Sequence, residues 1–151
     1  MSFLNAVINT VGDDFLKEQL QDRVDIVRHK IKFMDKVPVV VLNADNQVNH
    51  ELDELLVIAG AELQDDPIQA KVAIYLEPGS SMLNLMGLMP SLIQHEWPAA
   101  EYNRLYLLEP LQGDLTNPAY LIEVLEDLAE ILYPGYFVFG NEGKSWVSFS
   151  V

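Results

Sequence analysis

Histidine, serine and carboxylate side chains are the groups through which this chain could do chemistry. It has three histidines and no cysteine among 151 residues. His50 is close in sequence to Asp45 and Glu51, so it could be a metal ligand or a general base, but its place at the start of a predicted helix favours a solvated side chain. His29 and His95 lie far from it in the sequence. So few nitrogen and sulfur ligands argue against a transition-metal site, and we expect no metal and no cofactor.

Nucleophilic catalysis has one candidate, the pair Ser80 and Ser81 after Pro78 and Gly79. A serine on such a turn could be a nucleophile. However, the sequence has no G-x-S-x-G motif and no base at a suitable spacing. It also lacks a glycine-rich loop that would cradle a phosphate. These observations predict a protein that is not an enzyme.

The composition is that of one globular domain, because half of the residues are apolar and the length suffices to bury a core without disulfides or metals. The net charge is −14. Residues 1–36 hold six basic and six acidic residues, whereas residues 37–151 hold three and seventeen. Such an acidic body would repel phosphate backbones and anionic membranes, so we expect no nucleic-acid partner.

Targeting signals are the next question for the same sequence. No segment approaches the roughly 18 consecutive apolar residues of a membrane-spanning helix, so we expect no membrane insertion. The first 25 residues include several acids and no apolar run of signal-peptide length. For the sequence as given, this predicts a cytoplasmic protein.

A long helix and the strand after it organise the N-terminal part of the chain. Apolar residues recur at steps of three or four through residues 13–34, which predicts a helix with one apolar face. That face comprises Phe15, Leu16, Leu20, Val24, Val27, Ile31 and Met34. Residues 37–42 are a run of apolar, mostly β-branched residues, typical of a buried strand in a parallel sheet.

The remaining sequence alternates strand and helix patterns. We predict helices over residues 2–11, 50–60 with Asn49 as N-cap, 82–94 and 117–131, strands over 71–76 and 104–108, and a terminal hairpin or pair of edge strands over 136–139 and 145–149. The fold class is therefore α/β, a small parallel or mixed sheet with helices on both faces, preceded by a long N-terminal helix. We expect two parts: residues 1–36, which hold the helices, and residues 37–151, a single α/β lobe.

Ligands of such sheets bind outside the carboxyl ends of the strands. Three predicted loops follow strands, over residues 43–49, 77–81 and 109–116. The candidate ligand contacts are their polar residues: Asn43, Asp45, Asn46, Asn49, Glu77, Ser80, Glu109 and Gln112.

Four stretches carry a resemblance to a known family. A long helix with a basic end leads into residues 37–42, and the run at residues 51–62 is similar to "xELxxLAGGE". Residues 104–108 are similar to the family's "GRVYxLD" strand, and residues 117–134 are similar to its "RPGPRLVEALExLAxxLHP" ending. Residues 139–146 resemble the C-terminal end of those family members that bind cobalamin. In this order the chain resembles the C-terminal lobe of the helical-backbone (class III) solute-binding proteins of ABC importers, which capture cobalamin, haem and ferric siderophores.

The resemblance implies a small-molecule binding module, with a corrinoid or an iron chelate as the ligand class. It spans about residues 2–149 but only half of a family protein, because the N-terminal lobe has no counterpart here. The family is exported, whereas the sequence as given predicts a cytoplasmic protein. Its permease-docking glutamate lies in a segment that is much shorter here, at residues 63–70, so docking on a permease does not carry over.

Two functions remain open at this point. The chain could bind a small ligand at the three loops, alone or with a partner lobe. Alternatively, it could be a self-associating interaction or structural protein, in which the apolar surface that met the missing lobe pairs with a second copy, giving a homodimer.

Overall fold

A computed structural model describes residues 2–109 and 115–150 of the chain. The helices are α1 (Phe3–Ile8), α2 (Asp14–Ile31), α3 (Asp53–Ile58), α4 (Met82–Leu92), α5 (Pro98–Glu101) and α6 (Pro118–Leu132), with a short 3-10 helix at Pro67–Gln69. The strands are β1 (Val37–Leu42), β2 (Ala61–Leu63), β3 (Val72–Tyr75), β4 (Leu105–Leu108) and β5 (Trp146–Phe149). The described chain groups into two compact units, one of residues 2–36, 52–61 and 115–139, the other of residues 37–51, 62–109 and 140–150.

The first unit is built from helices, with α2 and α3 both packed against α6. Asp13 caps α2 by accepting a hydrogen bond from the Leu16 N–H at 3.1 Å. The predicted apolar face is confirmed in the middle of α2, where the buried residues are Leu20, Val24, Val27 and Ile31. It is wrong at the start of the helix, where Phe15 is 70% exposed and Leu16 is 42% exposed. Phe15 is nine residues before Val24, and this spacing places the two on opposite sides of a helix.

Acidic side chains on α6 are buried in this unit and have specific partners. Glu126 receives two hydrogen bonds from the Arg23 guanidinium, one of them from Nε at 3.2 Å. The Glu126 hydrogen bond raises the pKa of Arg23, while partial burial opposes it. Glu130 Oε2 accepts the Phe139 N–H at 2.9 Å. These bonds compensate for removing carboxylates from water.

The second unit contains a five-stranded sheet in the order β2-β1-β3-β4-β5. β1, β3 and β4 are parallel, and β5 runs antiparallel beside β4 at the sheet edge. Leu85 and Met89 of α4 pack with Trp97 and with residues of the strands, among them Tyr75 and Leu107. The predicted α/β class with a small mixed sheet and a preceding long helix is confirmed.

Several predicted boundaries need correction. Residues 136–139 are not a strand of the sheet and belong to the helical unit, where Lys30 Nζ donates to the Tyr136 carbonyl at 2.8 Å. α3 begins at Asp53, with Leu52 at its N-cap, so Asn49 is not the cap. The short elements β2 and α5 were not predicted. The division into residues 1–36 and 37–151 stays a prediction.

Candidate functional site

The loops after β1 and β3 lie together at the edge of the sheet formed by the carboxyl ends of its parallel strands, because the two strands end in register. Leu42 pairs with Tyr75, the last residues of the two strands. Tyr75 in turn pairs with Leu107 of β4, one residue before that strand ends. The three predicted loops therefore start at the same edge of the second unit.

The loop of residues 43–49 folds back on itself. Asn43 Oδ1 accepts hydrogen bonds from the N–H groups of Asp45 at 2.9 Å and Gln47 at 3.0 Å. Asn46 has a φ of 56°, a left-handed conformation that asparagine tolerates better than most residues. The Asn49 N–H then donates to the Val41 carbonyl at 2.8 Å. The Asn43 side chain thus shapes the loop.

Asn46 connects the loop to the strand and to α4. The buried Tyr75 donates its phenolic O–H to Asn46 Oδ1 at 2.7 Å, and Asn46 Nδ2 donates to the Leu92 carbonyl at 2.9 Å. Burial raises the pKa of Tyr75. Tyr75 was not among the predicted site residues, although a lone hydroxyl in an apolar strand is a signal that a buried partner is required.

Glu77 joins the first two loops. Its Oε2 accepts the Ala44 N–H at 2.7 Å, which links the residues that follow β1 and β3. Further along this loop, Ser81 caps α4 by accepting the Asn84 N–H at 3.1 Å. The loop of residues 77–81 is therefore fixed at both ends.

The third loop begins at Glu109, which is half-buried and donates its N–H to the Ser145 carbonyl at 2.7 Å. Gln112, another predicted contact, lies outside the described residues.

The structure places the predicted contacts in two groups. Asn43, Asn46 and Glu77 support the loops through hydrogen bonds, and Asn49 accepts the Glu51 N–H at 2.8 Å. The Asp45 carboxylate is exposed, and Ser80 and Glu109 are half-buried. Their role in ligand binding stays a prediction. An edge that presents carboxylates and hydroxyls suits a ligand with hydrogen-bond donors or positive charge.

Within residues 2–109 and 115–150, no group of three or more His, Cys, Asp and Glu residues is arranged to hold a metal ion. In the same ranges, none of the helices has the length and apolar character needed to cross a membrane.

No known family profile matches the chain, and no curated protein matches it. Solved structures do. An ABC transporter substrate-binding protein from Listeria monocytogenes EGD-e aligns with a TM-score of 0.63 at 17% identity, over 78% of this chain and 55% of that chain. The TroA-like periplasmic binding protein FepB from Veillonella parvula aligns with a TM-score of 0.59 at 15% identity, over 80% and 46%.

A third similar structure is CeuE from Helicobacter pylori with Ni(II) bound, with a TM-score of 0.53 at 15% identity over 80% of this chain and 45% of that chain. The chain thus spans about half the length of the structures it matches. The predicted resemblance to one lobe of an ABC-importer binding protein is confirmed at the level of the fold.

Proposed function

We propose that the chain is a non-catalytic small-molecule binding module whose ligand contacts the loops that follow β1, β3 and β4, at residues 43–49, at residues 77–81 and from Glu109 onward. The observation that carries this proposal is the Glu77 bond to the Ala44 N–H, which holds two of these loops together in a fold shared with substrate-binding proteins. A preformed edge lowers the entropic cost of binding.

The ligand class of this proposal is a corrinoid or an iron chelate. The similar CeuE structure has Ni(II) bound, and FepB is a TroA-like periplasmic binding protein, so metal-containing cargo is compatible with this fold. Carboxylates such as Asp45 and Glu109 suit the donor groups on the rim of such a ligand. One surface buries less of a ligand than a cleft does, so we propose that a second lobe completes a tight site.

Native mass spectrometry of the protein from cell extract, compared with its denatured mass, tests this proposal. A retained small molecule, or a second chain near the size of a missing lobe, is the expected result. Asp45→Asn should reduce the fraction of protein that retains the small molecule. The matched control is Asp65→Asn, because Asp65 is an exposed acid that precedes the start of β3, at the opposite end of the strand from the candidate site. A bare homodimer with no ligand would contradict the proposal.

Self-association is a second candidate, favoured by the outer face of α2. Phe15 and Ile26 lie about three turns apart on one face and are 70% and 53% exposed, and Phe33 just after the helix is 92% exposed. Four of the six acids of residues 13–36 lie at its start, Asp13, Asp14, Glu18 and Asp22, and four of its six bases at its end, Arg28, Lys30, Lys32 and Lys36. An antiparallel pair of α2 helices related by a two-fold axis would therefore be complementary in charge.

Light scattering over a concentration series tests the dimer. Arg28→Glu with Lys32→Glu, and separately Ile26→Ser with Phe33→Ser, should shift the mass toward the monomer. Leu83→Ser removes an exposed apolar side chain from α4, 78% exposed against 53% for Ile26 and 92% for Phe33, and should leave the mass unchanged. A wild-type dimer whose mass is insensitive to both double variants excludes a seam along α2.

A further inference from the structure

A surface pocket of about 280 Å³ lies in the helical unit, where α2, α3 and α6 end. Ile31 is the last residue of α2, and its Cδ1 lies 3.0 Å from the position that a Cβ on Gly60 would occupy. The Tyr133 hydroxyl, just after α6, donates to the Asp35 carbonyl at 2.9 Å and lies 3.3 Å from the Gly60 carbonyl oxygen. Contacts between residues distant in sequence therefore hold the pocket walls together.

Three basic side chains line this pocket: Arg28, Lys32 and Lys36. The chain has nine Lys and Arg residues and a net charge of −14, so three of its nine basic residues lie at one pocket. All three are exposed, and none forms an ion pair with another residue of the described ranges. Lys32 has one aromatic contact, since its Nζ lies 5.4 Å from the centre of the Phe33 ring.

The backbone brings the three cations to the same pocket. Arg28 and Lys32 are four residues apart on α2 and its C-cap, so they are neighbours on one flank of the helix. The hydrogen bond from Tyr133 to the Asp35 carbonyl fixes the chain after α2, and Lys36 is the next residue. Parts of the chain with different local structure thus contribute to a single cationic surface.

The helix ends explain only part of this charge. The carbonyl groups in the last turn of a helix attract cations, which gives Arg28 and Lys32 a structural role. Lys36 follows the end of α2 by five residues, beyond the last turn in which this attraction acts. At the end of α3 the Val57 carbonyl already accepts the Gly60 N–H at 3.2 Å. The attraction to helix ends therefore does not account for Lys36.

One acid lies close to the pocket. Burial raises the pKa of Tyr133, and the charge of the Asp35 carboxylate adds to this effect, so that carboxylate is near the Tyr133 ring. Asp35 is exposed and is a single acid beside three cations. Like charges that share a pocket repel one another, and a bound anion relieves that repulsion.

The remaining lining residues make the floor of the pocket apolar. Ile31 is buried, Met34 and Ile58 are half-buried, and Val57 is 51% exposed. An inorganic anion has no apolar part to cover this floor. A ligand with a carbon skeleton between its charged groups would remove apolar surface from water.

We propose that this pocket binds a small organic polycarboxylate, with its carboxylates at the three cations and its carbon skeleton against Met34 and Val57. The Arg28 guanidinium can donate two parallel hydrogen bonds to one carboxylate, and the lysine ammonium groups donate to the others. All lining residues belong to the helical unit, so the proposal does not depend on ligand binding at the loops of the sheet.

Isothermal titration calorimetry of the whole chain with propane-1,2,3-tricarboxylate tests this proposal, at low ionic strength so that exposed charges are little screened. Arg28→Gln, Lys32→Gln and Lys36→Gln should each weaken binding by about tenfold, as expected for the loss of one hydrogen bond between charged groups. Lys30→Gln is the matched control and should leave the affinity unchanged. Lys30 lies in the last turn of α2, but its Nζ donates to the Tyr136 carbonyl instead.

A second pair of variants tests the apolar floor. Val57→Ser should weaken binding of the tricarboxylate by about threefold, because less apolar surface is covered. Ile68→Ser changes a side chain of similar exposure, 55% against 51%, in the other unit and should have no effect.

Four results would overturn the proposal. The first two are no binding of the tricarboxylate to the wild type and an unchanged affinity in Lys36→Gln. The third is an equal loss in Lys30→Gln, which would indicate general charge attraction or an effect of self-association through the basic end of α2. The fourth is an unchanged affinity in Val57→Ser. Thermal melts accompany each titration, and the exposed Lys36 can be replaced without disturbing the core.

Discussion

The Tyr75 hydroxyl and the Asn46 side-chain oxygen are 2.7 Å apart, and this bond connects the end of β3 to the loop after β1. The other end of the same amide, Asn46 Nδ2, donates to the Leu92 carbonyl at the end of α4. One asparagine in a left-handed conformation thereby fixes a loop, a strand and a helix of the second unit.

Replacing Tyr75 with Phe should lower the free energy of unfolding by about 1 kcal/mol, the usual net value of a hydrogen bond, since Asn46 Oδ1 loses its donor. Chemical denaturation at neutral pH measures this. The comparison is Tyr102→Phe, which removes the hydroxyl of an exposed tyrosine and should leave the midpoint unchanged. An unchanged midpoint in Tyr75→Phe would show that the bond contributes nothing to stability.

The same tyrosine predicts a loss of stability in alkali. Burial raises the pKa of Tyr75 in the folded state above its unfolded value of about 10. At a pH between these two pKa values, Tyr75 has lost its proton in the unfolded chain and keeps it in the folded chain. The contribution of Tyr75 to the free energy of unfolding is therefore fully present below about pH 10 and falls as the pH rises. Unfolding curves from pH 8 to 11 should show a shallower decline in Tyr75→Phe. Parallel declines in the two proteins would contradict this.

Arg23 and Glu126 join α2 to α6 within the helical unit. In Arg23→Met the Glu126 carboxylate, whose side chain is 12% exposed, loses its partner. We expect a loss of about 2 kcal/mol, less than for a fully buried pair, because Arg23 faces solvent in part. Arg28→Met changes an exposed arginine of the same helix and should stay within about 0.5 kcal/mol of wild type.

Adding Glu126→Gln separates the energy of the Arg23–Glu126 interaction from the contribution that each side chain makes by itself. A double-mutant cycle with Arg23→Met should give a coupling energy of about 1 kcal/mol or more. Additive losses would mean that the two side chains contribute independently.

The elements that the sequence predicted well are those whose pattern is local. The middle of α2 has regular apolar spacing, and residues 37–42 form an uninterrupted apolar strand, so both could be recognised without tertiary information. Fold class followed from their alternation.

What could not be predicted depends on contacts distant in sequence. Tyr75 and Asn46 are 29 residues apart, and their bond requires the register that pairs Leu42 with Tyr75. Phe139 similarly joins the helical unit through Glu130, which no strand pattern could reveal. The loops after β1 and β3 were predicted from their polar residues, but which of these residues support the loop and which face outward depends on such bonds.

Two glycines should respond in opposite ways to the same change. Gly60 has a φ of 99°, and an added Cβ would collide with the Tyr133 ring. Gly60→Ala should cost about 1–3 kcal/mol, from backbone strain and displacement of the Tyr133 hydroxyl, which donates to the Asp35 carbonyl at 2.9 Å.

Gly87 lies within α4, and a Cβ there meets nothing within 4 Å. Gly87→Ala should therefore stabilise the protein by about 0.5–1 kcal/mol. Thermal melts of the two variants would contradict this account if both shifted in the same direction.

Glu77 gives a test of whether the candidate edge must be preformed. Glu77→Gln keeps an oxygen that can accept the Ala44 N–H, whereas Glu77→Ala removes it and leaves the loops unconnected. We expect Glu77→Ala to lose about 1–2 kcal/mol of stability and Glu77→Gln to lose less than about 1 kcal/mol, since a charged acceptor binds more strongly than a neutral one. Hydrogen exchange at the Ala44 amide should accelerate in Glu77→Ala and stay slow in Glu77→Gln. Equally fast exchange in both variants would mean that the carboxylate charge, and not the acceptor position, holds the two loops together.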